Sequence, residues 1–481
     1  MSTSETRQLC EWISSLSLDH IPQDRVTRAK YLILDGLACL LIGAHLPWSE
    51  DAVKGIFSFE SSGPCSVFGW ERKISPLSAA LLNSTFLQGF ELDDYHREAP
   101  IHSNSIVLPA LFAALEHCAA ADNTAINGPS FLLSTIVGYE TGPRVGQGVY
   151  GGEVLGRGWH SGAIFGPAAA AAASSKLFGL SADQMEDALG IACTQAGGLM
   201  SAQYESSVKR MQHGFATRNG LFAALMARSE YSGIKQVLER PYGGFLSVFS
   251  QGNGKEPAFL AEKVVEKLGE MWEMDRIVVK PYATMAATHG TIDCVIKLQE
   301  NYPEVTAKVD RIKKVTVEMS TPAWKKGGWV VKRPLTPTGA QMSCVYAAAM
   351  QLLEGQVQPA QFGASQMERE DVWTLMEKIE CVPNPDWDKD MITGWYQRIY
   401  LEVEGDDGET KTYTDLVEAP RGNGVPLTNE EILTKWRRVT EGVIDPKRRA
   451  TIEKLVLSLE DMENMEELAA ILYPQTSNVL A

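Results

Sequence analysis

The spacing of apolar residues changes once along this chain, and that change limits what it can fold into. Up to about residue 270 they recur every three or four positions, as in Thr27–Leu41 and Asn219–Met226, the period of helices with one buried face. Near Asp275 the spacing shortens to two. RIKKVTVEMST (Arg311–Thr321) alternates and is rich in β-branched residues. RIYLEVEGDDGETKTYTDLVE (Arg398–Glu418) is two alternating runs about Asp-Asp-Gly, a hairpin signal. Helices are expected between these strands at Ser343–Leu353 and Glu368–Ile379. Helical spacing returns in LTNEEILTKWRRVTEGV and DPKRRATIEKLVLSLED, with Thr428 and Asp445 placed as N-caps. The chain is therefore expected to be mainly α. A large all-helical domain (residues 1–275) is followed by a smaller α+β lid domain (276–422), and a C-terminal helical segment (423–481) completes the first domain.

Local signals sharpen the helical part. Ser181 and Gln184 form a capping box, and Gly179 ends the preceding helix. That helix carries six alanines, Ala168–Ala173, whose small side chains let neighbouring helices approach closely; a tightly packed interior helix is expected. YLILDGLACLLIGA (Tyr31–Ala44) contains Asp35 and is too short to span a bilayer, which suits a buried core helix. The eight cysteines are scattered and mostly in apolar runs, so buried free thiols are expected rather than disulfides or a zinc site.

The formal net charge of -16 repels phosphate backbones and anionic lipid, so neither a nucleic-acid nor a membrane partner is expected. A small anionic substrate is not excluded, because a few local cations can reverse the field within a cleft. The N-terminus, MSTSETRQLCEW, lacks the basic-then-apolar order of a secretory signal, and a soluble, cytoplasmic protein is expected.

Four segments hold candidate chemistry. ELDDYHREAPIH (Glu91–His102) crowds Glu91, Asp93, Asp94 and Glu98 with Tyr95, His96 and His102, and Pro100 makes helix unfavourable there. The charges therefore sit on a loop between two apolar helices, where carboxylates can orient imidazoles or raise their pKa. GRGWHSGAIFG places His160 among glycines just before the alanine helix. SSVKRMQHGFATRNG groups Lys209, Arg210, His213 and Arg218 into a cationic cluster suited to carboxylates. VVKPYATMAATHGTID adds Lys280, Tyr282 and His289. The bland readings are a solvated acidic loop, a core histidine and a charged helix end. No P-loop, GxSxG or HExxH is present, and YGGEVLGRG lacks the strand and helix that a dinucleotide fingerprint requires. The residues alone point to proton-transfer chemistry on a polyanion, and no further.

LDDYHREAPIHS, GRGWHSGAIFGPAAAAAASSKLFGLS, DALGIACTQAGGLMSAQ, VKRMQHGFATRNG, YGGF, KPYATMAATHGTID and PTGAQMSCVYAAAMQL resemble the MmgE/PrpD family in order and spacing. That family contains 2-methylcitrate dehydratases and cis-aconitate decarboxylases, and within it ELDDYHREAPIHSNSIVLPA, NGLFAALMA and VLERPYGGFL are most similar to the fungal itaconate-forming branch. The resemblance implies a helical domain with an α+β lid, a homodimer, a tricarboxylate substrate, and no metal or organic cofactor. It implies catalytic roles for Asp93, Tyr95, His102, His160 and Lys209, with Arg210, Glu91, Lys280 and His289 in substrate binding. The function implied is decarboxylation of cis-aconitate to itaconate. Met285, Trp324-Lys325 and Tyr95 depart from the mammalian pattern and leave an alkyl-substituted aconitate open. A dehydratase acting on an alkylcitrate, or a carboxylate binder without catalysis, are the competing readings.

Overall fold

A computed structural model of the chain describes residues 4–203, 206–389 and 396–480. It divides into two compact units: Met1–Gly89, Asp93–Ile277 and Asn429–Asn478 form the first, and Phe90–Leu92, Val278–Thr428 and Val479–Ala481 the second.

The first unit is built on α1 (Gln23–Gly43), α2 (Pro76–Leu87), α3 (Ser103–Asp122), α4 (Gly128–Gly148), α5 (Ser161–Leu177), α6 (Ala182–Cys193) and α7 (Gln212–Arg228). The alanine run explains the arrangement. α5 is buried along nearly its whole length and lies against α3, α4, α6 and α7. Glycines on its neighbours face its alanines. A Cβ at Gly220 of α7 would fall 2.5 Å from the Ala170 Cβ, one at Gly142 of α4 would fall 3.0 Å from that of Ala169, and one at Gly138 would fall 3.1 Å from that of Ala173. Backbones approach here more closely than larger side chains allow, and dispersion between them replaces the burial of bulky groups. The predicted punctuation is present. Gly179 takes φ +66 after α5, and the Ser181 and Gln184 side chains exchange hydrogen bonds with each other's backbone at the start of α6. α3 is long and apolar enough to cross a membrane, but most of it is enclosed by its neighbours.

Residues 1–270 are not helical throughout. Cys65–Val67 pairs with Arg72–Ile74 as a small antiparallel hairpin, and only short helical turns occur between Arg228 and Ile277. The reason lies in composition: Pro241, Gly243, Gly244, Gly252, Gly254 and Pro257 interrupt any helical period there.

The second unit holds a four-stranded sheet of β1 (Ile312–Met319), β2 (Ile379–Pro383), β3 (Gln397–Glu404) and β4 (Thr410–Val417), in the order β2-β1-β3-β4. β1 runs parallel to β2 and antiparallel to β3, with Val315 opposite Ile379 on one side and Leu401 on the other. β3 and β4 are the expected hairpin about Asp406-Asp407-Gly408. β2 was not expected. The predicted helix at Glu368–Ile379 ends as Glu370–Met376, and IECVP then forms a short edge strand whose proline sits at its end. α8 (His289–Asn301) packs on β3 and β4, and α9 (Cys344–Glu354), N-capped by Ser343, packs on α8.

α10 (Asn429–Val439) and α11 (Pro446–Leu457) belong to the first unit. Asp445 caps α11 by accepting the Arg448 N–H at 2.9 Å. α10 packs on α1 and brings the buried Lys435 Nζ to 2.6 Å from the buried Asp35. All eight cysteines are free thiols, and seven of them are buried.

The loop before α3 is held by three of its own polar residues. Asp94 accepts the backbone N–H groups of Ser103 and Asn104, so a carboxylate closes the first turn of α3. His96 is wholly buried; its Nδ1 accepts the Ala99 N–H, and its Nε2–H donates to Glu273 at 3.1 Å. Glu273 also takes hydrogen bonds from Gln147 and Arg276. Burial pushes the Glu273 carboxyl up, but the His96 hydrogen bond, with the charge and hydrogen bond of Arg276, outweighs it and holds the group below its ordinary 4.5.

Two outcomes are expected. Gly220→Ala forces α5 and α7 apart and should destabilise the protein by about 1–3 kcal/mol, read as a lower urea midpoint. Glu273→Gln should cost about 2 kcal/mol near neutral pH. A lowered native pKa stabilises above the unfolded value and loses that contribution as pH falls through the native one. The gap between Glu273→Gln and the native protein should therefore be complete well above pH 4.5 and shrink as pH falls below it. Urea denaturation across that range measures it, and a gap of unchanged size refutes the assignment.

Candidate active site

Three long helices of the first unit begin at histidines. His102 is the N-cap of α3, His160 is the N-cap of α5, and His213 is the second residue of α7. The three rings stand together: His213 lies 5.0 Å from His102 and 5.1 Å from His160 between ring centroids. The first turn of a helix offers unpaired N–H groups and roughly half a positive charge. Here, however, the Ser103 and Asn104 N–H groups are taken by Asp94 and that of Ala163 by His160, and the turn Ser207–Met211 runs directly into α7, so the imidazoles with Lys209 and Arg210, rather than bare backbone, supply what an anion needs inside a protein whose overall charge is -16. The loop before α3 is tied to the start of α5 by Ser161, whose hydroxyl donates to the Pro100 carbonyl.

The hydrogen bonds assign a protonation pattern to each imidazole. His102 Nδ1 lies 2.9 Å from Asp93 Oδ2; a carboxylate can only accept, so Nδ1 carries the proton and Nε2 is turned to other work. His160 Nδ1 accepts the Ala163 N–H at 3.4 Å, which puts the ring proton on Nε2. His213 Nδ1 lies 2.7 Å from Ser105 Oγ, and that hydroxyl donates to the His102 carbonyl at 2.9 Å. Both contacts are satisfied together when His213 Nδ1–H donates to Ser105. The Asp93 carboxylate fixes the tautomer and orientation of His102, so Nε2 is the nitrogen this ring presents for proton exchange.

Tyr95 is half-buried with its ring 6.4 Å from that of His102. Burial pushes its phenol up, so it is a neutral hydrogen-bond donor at neutral pH. Lys209 and Arg210 are both buried in the turn Ser207–Met211 that runs directly into α7, and the Arg210 guanidinium lies over Trp48 at 5.7 Å. Arg218, grouped with them in the sequence, instead bonds the Asn219 side chain.

Glu91, Lys280 and His289 belong to the second unit. There Lys280 Nζ pairs with Glu91 at 3.2 Å, both buried, and His289 Nε2–H donates to the Thr284 carbonyl. Sequence reasoning missed Ser105 and Gln88, which carry no motif. It also missed Lys435. Burial lowers that ammonium, but Asp35 beside it, with Cys39 and Asp93 near, outweighs burial and keeps it charged. Helical period placed Lys435 only on a predicted helix; nothing in it told of a partner in α1. Among the described residues, no three His, Cys, Asp or Glu side chains are gathered as metal ligands.

The N-terminal domain model of the MmgE/PrpD family matches residues 7–258, and its C-terminal domain model matches residues 282–461. A cis-aconitate decarboxylase-like protein of Aspergillus oryzae, oryM, is 49% identical over 471 residues, covering 97% of each chain. A cis-aconitate decarboxylase of Aspergillus terreus is 46% identical over 472 residues, covering 97% of this chain and 95% of the relative. The human cis-aconitate decarboxylase is 25% identical over 481 residues, covering 98% of this chain and 95% of its own. Matched by both domain models over most of its length, and similar end to end to these fungal proteins, the chain belongs to the MmgE/PrpD family.

Proposed function

We propose that this protein is a cis-aconitate decarboxylase, releasing CO2 from cis-aconitate to leave itaconate. The observation that carries the reading is the meeting of three histidine-bearing helix starts beside the Asp93–His102 pair, a site built for a polyanion that must gain a proton. The names of the fungal relatives, at 46–49% identity, supply the acid.

The departing carboxylate hangs on a methylene next to the double bond. As its C–C bond breaks, that electron pair becomes a new double bond to the central carbon. The old alkene pair moves to the far carbon, which takes up a proton. One proton is consumed for each CO2 released. In passing, negative charge spreads onto the carboxylate of the far carbon. Lys209 and Arg210, buried in the turn before α7, stabilise charge there with little reorganisation. Clamping the retained carboxylates also holds the breaking bond in line with the π system. His102, which Asp93 orients, and His160, which presents Nε2–H, are the proton donors this arrangement offers. Tyr95 orients the acid or the substrate as a neutral donor.

Purified protein incubated with cis-aconitate should release CO2 and itaconate, followed by mass spectrometry. Turnover of a 2-alkylcitrate with loss of water, and none of cis-aconitate, would replace this reading with the dehydratase one. His102→Ala, His160→Ala and Lys209→Ala should each lower kcat at least about tenfold with an unchanged melting temperature. Native rates in all three would remove the site. Asp93→Asn keeps the shape but no longer fixes the Nδ1–H tautomer of His102. A loss of about 10²–10⁴-fold in kcat with KM little changed is expected.

A further inference from the structure

We infer that His213 is a positioning residue for this chemistry: an uncharged imidazole, its proton on Nδ1, that sets where the rings of His102 and His160 stand. The inference rests on the decarboxylase reading for its catalytic consequence, but not for its account of the ring itself.

Three observations carry it. First, His213 is wholly buried, and its ring packs against both other imidazoles, at 5.0 and 5.1 Å. Displacing it therefore disturbs both. Second, its proton is assigned from both sides. Ser105 Oγ, already donating to the His102 carbonyl, accepts from Nδ1, and the Gln88 amide nitrogen lies 3.5 Å from Nε2, where it can donate only to a bare nitrogen. Third, Nε2 rests on the backbone of α5. A Cβ at Gly162 would fall 2.1 Å from that nitrogen, so the ring occupies the space that a side chain at position 162 would fill. His213 thus sits against the first turn of α5, and the cationic Lys209 and Arg210 precede it in the chain; both disfavour a second proton on the ring.

The chemical consequence is direct. The reaction needs one proton delivered to one carbon. A third imidazole able to protonate would compete for it; an uncharged one separates the two donors and leaves the proton to them. A displacement of about 1 Å in such groups lowers rates about 10²-fold.

The test uses the full-length protein labelled with ¹⁵N-histidine. At neutral pH, a histidine with a protonated Nδ1 and a bare Nε2 should be present whose signals vanish in His213→Asn. His213→Phe, which keeps the ring and loses both nitrogens, should lower kcat about 10²-fold while KM stays within about threefold. His213→Asn can still donate to Ser105 and should recover most of the rate. Ser105→Ala should let the His213 proton exchange between nitrogens. Native kcat in a folded His213→Phe, or a doubly protonated His213 in the native protein, overturns the inference. If His213→Phe does not fold, the native spectrum and Ser105→Ala decide. If the native protein does not decarboxylate cis-aconitate, the decarboxylase reading fails, while the spectra still judge His213.

Discussion

Three imidazoles carried on the starts of three helices meet at one spot, and the rest of the first unit is arranged to permit it. Bringing several carboxylates of a substrate out of water is costly unless fixed partners wait for them. Mobile side chains would have to be ordered at each encounter. Side chains in the first turns of α3, α5 and α7 are already placed by folding. Ring nitrogens set there serve both to meet the anion and to exchange the proton.

That convergence needs helices whose axes nearly touch, which explains the composition of the core. Opposite Ala173, Ala169 and Ala170 of α5 stand Gly138, Gly142 and Gly220. Larger residues would add buried area but would push apart the helix starts on which the histidines ride. The segment before α3 divides its labour in a similar way. Asp94 closes the helix, His96 anchors the loop to Glu273, Glu98 lies 3.2 Å from Arg276, and Asp93 turns His102. The crowding of charge there is a set of separate local tasks.

Much of this was legible in the residues. Helical period found α1 and α7, the capping box and Gly179 marked the break between α5 and α6, and two-residue alternation found the β3–β4 hairpin. These signals are local, written in residues that touch one another along the chain. β2 was missed because a five-residue edge strand ending in proline has too little alternation to register. The segment after Arg228 was misjudged because its apolar residues mimic a helical period that its glycines and prolines break. At the site, Asp93 and His102 could be paired from nearness in sequence. The meeting of His102, His160 and His213 could not, because it depends on how three helices pack. Ser105 and Gln88 are ordinary residues whose meaning comes only from the ring beside them.

One further consequence follows from the return of α10 to the first unit. Asp35 lies in an early helix, wholly enclosed, and its counter-ion Lys435 is supplied near the far end of the chain. While the protein emerges from the ribosome, the early helices hold an acid whose partner has not yet been made. The Asp35–Lys435 pair can therefore close only after the whole second unit has been synthesised. A chain shortened at its C-terminus would keep every histidine of the site and still lack the partner of Asp35 in the unit that carries them.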